Sequence, residues 1–123
     1  MKFLLDANFL LIPGRHKVRI FEQLQSFGLP ELCTVKPVVM ELEALALRSG
    51  KVKKAAKLAL TLLEHGIEVL PGKGPADALL YRFARRGYVV CTQDRELQQR
   101  LAANGLLFVY LRQRRLVASN REL

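Results

Sequence analysis

Cysteine is scarce in this chain, and neither copy has a chemical partner nearby. The two cysteines, Cys33 and Cys91, each sit in a short apolar run with no CxxC spacing and no adjacent His. A disulfide framework and a zinc site are therefore not expected. Both read as small buried hydrophobes in a reducing compartment, which makes the cytoplasm the expected location. Long apolar runs are missing too. None approaches the roughly 18 residues that a membrane span requires, and Asp6 interrupts the first, so neither a membrane partner nor a secretory signal is expected. Low-complexity tracts and internal repeats are absent, and the chain reads as ordered throughout. His16 and His65 are isolated, and Ser26, Ser49 and Ser119 have no His-Asp context, which leaves a hydrolase triad without support. The Pro-Gly-Lys-Gly run at residues 71–74 is too short for a phosphate-binding loop and lacks its closing Lys-Ser/Thr.

Acidic residues are also outnumbered. Twenty Lys and Arg face eleven Asp and Glu among 123 residues, a formal charge of +9. A field of that sign concentrates polyanions and favours nucleic acid as a partner. Half of the residues are hydrophobic, and the length suits one domain with a real core.

Strand-like and helix-like segments alternate along the chain. Residues 2–5 form a short apolar strand of the kind buried on both faces of a parallel sheet. A short helix is expected over 8–12, ended by Pro13-Gly14, and an amphipathic one over 16–27. Further strands are expected at 32–35, 67–70, 88–91 and 106–111. Helices should fill 37–50, 52–65, 75–87 and 94–103, with Pro37 and Pro75 at their starts. This order implies a single α/β domain, with a central parallel sheet of about five strands and helices on both faces. Its body spans residues 1–111. The basic tail, 112–123, continues the same domain and adds a short edge strand at Leu116-Val117.

Each strand-to-helix transition delivers a carboxylate. Asp6 ends the first strand, Glu41 and Glu43 follow the second, Asp77 the third and Asp94 the fourth. In open α/β sheets this carboxyl-end edge is where ligands bind. Gathered acids repel, and oxygen ligands of this type suit hard divalent ions such as Mg²⁺ and Mn²⁺. An ion held there can activate water and neutralise charge developing on a phosphate. Singly, Asp77 and Asp94 read equally well as helix caps. Periodicity leaves Glu41 and Glu43 tied, since both flank the apolar face of their helix.

The runs LLDANFLL, PVVMELEAL, PADALL and VVCTQDRELQQRL, in that order and spacing, resemble the signature of PIN-domain nucleases. The resemblance continues through LFVYLRQRRL, so it covers nearly the whole chain. The ending, TxDREL followed by a strand, YLR and a basic tail, is most similar to archaeal relatives of the PIN endonucleases that process small-subunit ribosomal RNA in eukaryotes. The resemblance implies a PIN-like fold and a metal-dependent endoribonuclease using Mg²⁺ or Mn²⁺. It implies Asp6, Glu41, Asp77 and Asp94 as catalytic metal ligands, which favours Glu41 over Glu43, with Asn8 and Thr92 orienting them. Gln93 departs from the Asn or Arg of many members, and Ala76 stands where close relatives often carry a second Asp.

Arg112, Arg114, Arg115 and Arg121 in the tail, and Lys51, Lys53, Lys54 and Lys57 in one helix, are the candidates for RNA phosphates. Tyr81, Tyr88 and Tyr110 are expected to pack, with Tyr110 beside Arg112 also able to stack on a base. Besides RNA, the expected partners are a second copy of the chain and a ribosome-assembly factor or antitoxin. Ribosomal RNA maturation is the first role considered, a VapC-type toxin ribonuclease the second, and a non-catalytic RNA-binding module the third. A phospho-receiver domain also gathers acids at strand ends, but it needs a Lys on the last strand, and LLFVYL has none.

Overall fold

The computed structural model describes residues 1–119, so Arg121 lies outside the described residues. The chain runs β1 (Lys2–Leu5), α1 (Ala7–Leu10), α2 (Ile12–His16), α3 (Ile20–Gln25), β2 (Glu31–Val35), α4 (Lys36–Ala46), α5 (Gly50–Leu63), β3 (Ile67–Leu70), α6 (Ala76–Ala84), β4 (Val89–Cys91), α7 (Arg95–Ala103), β5 (Phe108–Arg112) and β6 (Arg115–Ala118). Phe3, Leu4 and Leu5 are each 0% exposed. Successive strand side chains point to opposite faces, so β1 must be covered on both sides. It lies inside a six-stranded sheet of order β3-β2-β1-β4-β5-β6. The first five strands run parallel to one another, with Leu4 opposite both Cys33 and Val90. α1, α2, α4 and α5 contact one another, whereas α6 and α7 form a second group resting on β2, β4 and β5. Cys33 and Cys91 are free and buried. No helix among the described residues is long and apolar enough to cross a membrane.

The sixth strand is the expected short edge strand. It returns antiparallel along β5, from Arg112 opposite Arg115 to Val109 opposite Ala118. The two-residue turn places Gln113 at φ 50° and Arg114 at φ 67°, a left-handed pair that suits hairpin twist and costs residues other than glycine roughly 1–2 kcal/mol each. Backbone carbonyls and one side chain from the start of the molecule hold it. The Arg114 guanidinium donates to the carbonyls of His16 at 3.0 Å and Lys17 at 3.5 Å. Gln23 donates to the Arg114 carbonyl at 3.0 Å and accepts from the Leu116 amide at 2.8 Å.

Helix boundaries differ from expectation at several points: α4 ends at Ala46 and α6 at Ala84, three or four residues early, and the largest differences lie near the start of the chain. Pro13-Gly14 does not end the first helix; both residues lie inside α2, with Pro13 in the opening turn where its missing N–H breaks no helical bond. Gly14 serves packing. A Cβ there would meet the Ala55 Cα at 2.5 Å, so glycine is what lets α2 lie against α5. The helix expected over 16–27 shrinks to α3, because Lys17 adopts φ 54° and the chain restarts at Ile20. The carbonyls of His16 and Lys17, at the C-terminal end of α2, accept from Arg114, which favours a break there.

Alanine in place of glycine normally strengthens a helix by about 1 kcal/mol. Gly14→Ala should reverse that sign and lower stability by about 1–3 kcal/mol, through overpacking against Ala55. Urea unfolding checks it, and an unchanged or higher midpoint would show that α2 can draw away from α5.

Candidate active site

Strand order places one special position on the sheet. From β1 the chain winds outward through β2 and β3, then crosses back so that β4 pairs with the other side of β1. Between the carboxyl ends of β1 and β4 the two crossovers diverge and leave a crevice, the place where open α/β sheets bind ligands. Asp6 follows β1 and the Thr92-Gln93-Asp94 run follows β4, so both flank this switch point.

A hydrogen-bond network builds the crevice wall. Asp6 is 8% exposed. Its Oδ1 accepts from the Ala7 amide at 2.7 Å, and its Oδ2 accepts from the Thr92 hydroxyl at 2.7 Å. The same hydroxyl oxygen accepts the Asp94 amide at 3.1 Å. Asn8 Oδ1 accepts the Gln93 amide at 3.0 Å. Asn8 and Thr92 thus stand behind the acids and fix the β4 loop against α1.

Two glutamines complete the wall, and the sequence offered little sign of either. Gln93 accepts from the Leu111 amide at 2.6 Å and donates to the Leu111 carbonyl at 3.1 Å. Gln98 donates to the Thr92 carbonyl at 2.7 Å. Gln93 therefore ties the end of β5 to the acid-bearing loop, a role visible beforehand only as a departure from the family pattern. Gln98 is four residues after Asp94, on the same face of α7. Thr34, fully buried, donates to the Leu5 carbonyl at 2.7 Å and fixes the last residue of β1.

The four expected acids differ in setting. Asp94 caps α7, accepting the Glu96 amide at 2.9 Å and the Leu97 amide at 3.3 Å. Asp77 is exposed and accepts the Ala78 amide at 2.9 Å. Glu41 is exposed on α4 and accepts no hydrogen bond among the described residues. Their charges nevertheless meet at Asp6. Burial raises the Asp6 carboxyl above its ordinary 3.8; the Thr92 and Ala7 hydrogen bonds oppose this, and the charges of Asp94 and Asp77 push it further up. Glu41 is likewise raised above its ordinary 4.5, first by partial burial and then by the charge of Asp6. Glu43, two residues on, lies about 200° round the helix. Among the described residues no three Asp, Glu, His or Cys side chains stand as a group that could hold an ion. The acids are coupled through space around Asp6, with three of them turned onto backbone amides. Their all-oxygen donor chemistry fits a hard divalent ion.

The basic candidates fall in two places. Arg112 ends β5, on the same carboxyl edge as Asp6 and Asp94, and Arg115 lies directly opposite it on β6. Arg114, between them, points to α2 and anchors the hairpin. Lys51 and Lys54 are exposed and Lys53 half-buried at the start of α5.

An α/β domain with carboxylates grouped around a buried Asp at its switch point is the class these observations define. The PIN-like domain model matches residues 3–114, and the chain belongs to that family. It is 34% identical over 110 residues to ribonuclease VapC9 of Archaeoglobus fulgidus, covering 88% of this chain and 81% of the relative. It is 30% identical over 122 residues to ribonuclease VapC4 of Methanocaldococcus jannaschii, covering 93% and 92%. The fold matches the PIN domain endonuclease Utp24 with a TM-score of 0.80 at 24% identity, over 96% of this chain and 90% of that one. It matches a chain of VapBC-1 from nontypeable Haemophilus influenzae with a TM-score of 0.55 at 17% identity, over 84% and 94%.

A raised carboxyl favours the folded state only while protonated. The Asp6 contribution is whole below its ordinary 3.8 and is lost as pH rises through the higher folded value. Glu41 acts in the same direction from 4.5 upward. In EDTA, Asp6→Asn should therefore raise the melting temperature at pH 7 and flatten its dependence on pH between 7 and 4. Calorimetry across that range checks the sign. A lower melting temperature for Asp6→Asn at pH 7 would mean that the two hydrogen bonds to the carboxylate outweigh its burial.

Proposed function

We propose that this protein is a divalent-metal-dependent endoribonuclease that hydrolyses RNA phosphodiester bonds, with Mg²⁺ or Mn²⁺ held by Asp6, Glu41, Asp77 and Asp94. The observation that carries the reading is Asp6 at the switch point, its carboxyl raised first by burial and then by the charges of Asp94 and Asp77, with its own charge adding to the partial burial that raises Glu41. A fold does not assign an activity by itself. Two curated relatives named ribonucleases, at 34% and 30% identity across most of the chain, support this one.

When bound, such an ion supplies an activated water at neutral pH and neutralises charge on the phosphate. The residues of the chain do the rest. Thr92 and the Ala7 amide hold both Asp6 oxygens in fixed directions, and Asn8 fixes the Gln93 amide so that Asp94 is presented at the crevice. Supporting bonds of this kind orient ligating carboxylates. Arg112 and Arg115 bind the RNA backbone near the acids, Arg114 holds the hairpin that presents them, and Lys51, Lys53 and Lys54 extend the basic surface.

A second, finer reading concerns the RNA target. The names of the two curated relatives, ribonucleases VapC9 and VapC4, favour the VapC-type reading, in which the protein would be a toxin ribonuclease paired with an antitoxin. The TxDREL ending supports ribosomal RNA maturation. Induced expression separates them: growth arrest relieved by Asp94→Asn marks the toxin, whereas accumulation of precursor ribosomal RNA on depletion marks the processing enzyme.

A divalent ion that binds only the folded chain stabilises it. Millimolar Mn²⁺ should raise the melting temperature, Mg²⁺ less so, and Asp6→Asn should blunt both shifts. Identical melting curves with Mn²⁺ and with EDTA would sink the shared site.

Asp94 separates chemistry from capping. Asparagine also caps helices well, so Asp94→Asn should change stability by only a few tenths of a kcal/mol. As a metal ligand its loss should lower cleavage roughly 10²-fold, about 3 kcal/mol of transition-state stabilisation. RNA binding should hold. Paired cleavage and filter-binding assays check this, with Glu43→Gln as a control expected to cut normally. Cleavage retained by Asp94→Asn would falsify the assignment. Tight binding without cleavage by the parent chain in Mn²⁺ would make the protein an RNA-binding module.

A further inference from the structure

A groove of about 550 Å³ opens beside the acid-bearing loop, between α7 and the β5–β6 hairpin. Its composition follows from two periodicities. Arg95, Gln98 and Gln99 share one face of α7 at the i, i+3, i+4 spacing, and Phe108, Tyr110 and Arg112 share one face of β5 at every second residue. All six line the groove. Opposite residues of an antiparallel pair project to the same side, so Arg115 and Val117 of β6 extend this surface from Arg112 and Tyr110.

The chemistry of the lining is one-sided. It contains two arginines and no acid. Among the described residues neither Arg95 nor Arg112 is paired with a carboxylate; the one ion pair joins Arg19 to Glu22 at 3.4 Å. Tyr110 is half-buried, tilted at 42° against Phe108 with ring centroids 5.8 Å apart, so its ring is held by packing. The Gln98 amide nitrogen is committed to the Thr92 carbonyl, which leaves its oxygen as an acceptor, and Gln99 is exposed. Gln93 lines the same groove, clamps Leu111 and directly precedes Asp94. Cations, a fixed aromatic ring and free amide groups next to a carboxylate site suit a nucleotide strand. They do not suit an apolar protein segment, which would leave the arginines unpaired.

We propose that this groove is a nucleotide subsite, seating one unpaired nucleotide of the RNA next to the scissile phosphate, with its base on Tyr110 and the adjoining phosphates on Arg95 and Arg112. The subsite rests on the ribonuclease reading, since its occupant is a flank of that substrate. It works without a metal ion, because none of its groups is one of the four acids. Stacking on Tyr110 tolerates any base, and the Gln98 oxygen and the Gln99 amide supply a means of choosing among them. A base held in a duplex cannot present its face to the ring, so the subsite requires local unpairing at the cut.

The test uses the full chain in EDTA, where cleavage is silent, with fluorescein-labelled octaadenylate as the probe and anisotropy as the readout. Tyr110→Ala should weaken binding roughly 5- to 150-fold, the range for loss of one stacked base, while Tyr110→Phe stays within about twofold of the parent. Because Tyr110 packs on Phe108, the exposed pair Arg95→Gln/Arg112→Gln gives a second route. It should weaken binding and flatten the logarithmic salt dependence by about 0.7 per lost phosphate contact. Parent-like binding by Tyr110→Ala overturns the base subsite even if the arginine pair is affected, and failure of the parent chain to bind the probe overturns it outright. Cleavage of a longer RNA in Mn²⁺ tells the two readings apart. Parent-like binding and cutting by every variant would discard the subsite and keep the ribonuclease. Groove-dependent binding with no cutting by the parent would keep the subsite and discard the ribonuclease.

Discussion

One hydroxyl joins the two halves of the sheet at the point where they part. Thr92 is fully buried, and its Oγ1 donates to Asp6 at the end of β1 while accepting the Asp94 amide at the start of α7. Its backbone amide donates to Val109 of β5 at 3.0 Å, and its carbonyl receives Gln98. A single residue therefore fixes the relative positions of β1, β5 and α7. A buried hydroxyl in this position must be fully satisfied, because an unpaired polar group away from water costs about 1–3 kcal/mol. With those bonds made, the loop is tied to β1, β5 and α7, and the two aspartates share one hydroxyl across the switch point.

The same arrangement explains why a charged group can stand at the end of a buried strand. Ionised Asp6 is opposed by its own burial and by Asp94 and Asp77, and it is supported by two short hydrogen bonds. The supporting bonds do not cancel the opposition, since the carboxyl remains raised. Elsewhere the core is apolar; Asp6, Thr34 and Thr92 are its buried polar members among the described residues. All three lie at or beside the end of β1, so polarity inside this molecule is concentrated where the crossovers diverge.

Much of this was legible in the sequence, and the gaps have physical causes. The strands were readable because Phe3, Leu4, Leu5, Val89, Val90 and Cys91 are consecutive apolar residues, a pattern that only burial on both faces produces. The acids were readable because each follows a strand. Pro13 and Gly14 misled because they are the usual breakers, yet one occupies a tolerant first turn and the other answers to Ala55, a residue 41 positions away whose approach no local pattern records. Glu41 and Glu43 could not be separated by periodicity; the charge of Asp6 acting on Glu41 speaks for the choice that resemblance suggested. Gln93 and Gln98 act through side-chain bonds to backbone, which leave no periodic trace. Arg114 illustrates the reverse case, a residue grouped with its basic neighbours by sequence whose guanidinium reaches α2 instead.

The unfavourable position of Asp6 bears on how this chain changes over generations. Asp6→Asn would remove a desolvated, mutually repelling charge while keeping a side-chain oxygen for the Ala7 amide or the Thr92 hydroxyl, so the expected direction is downhill in folding free energy where most substitutions are uphill. Selection on stability alone would erase the carboxylate rather than preserve it. Its retention in a lineage is thus a record of selection on chemistry, and a paralogue that has lost it while keeping Thr92 and Asn8 would be a scaffold released from that selection.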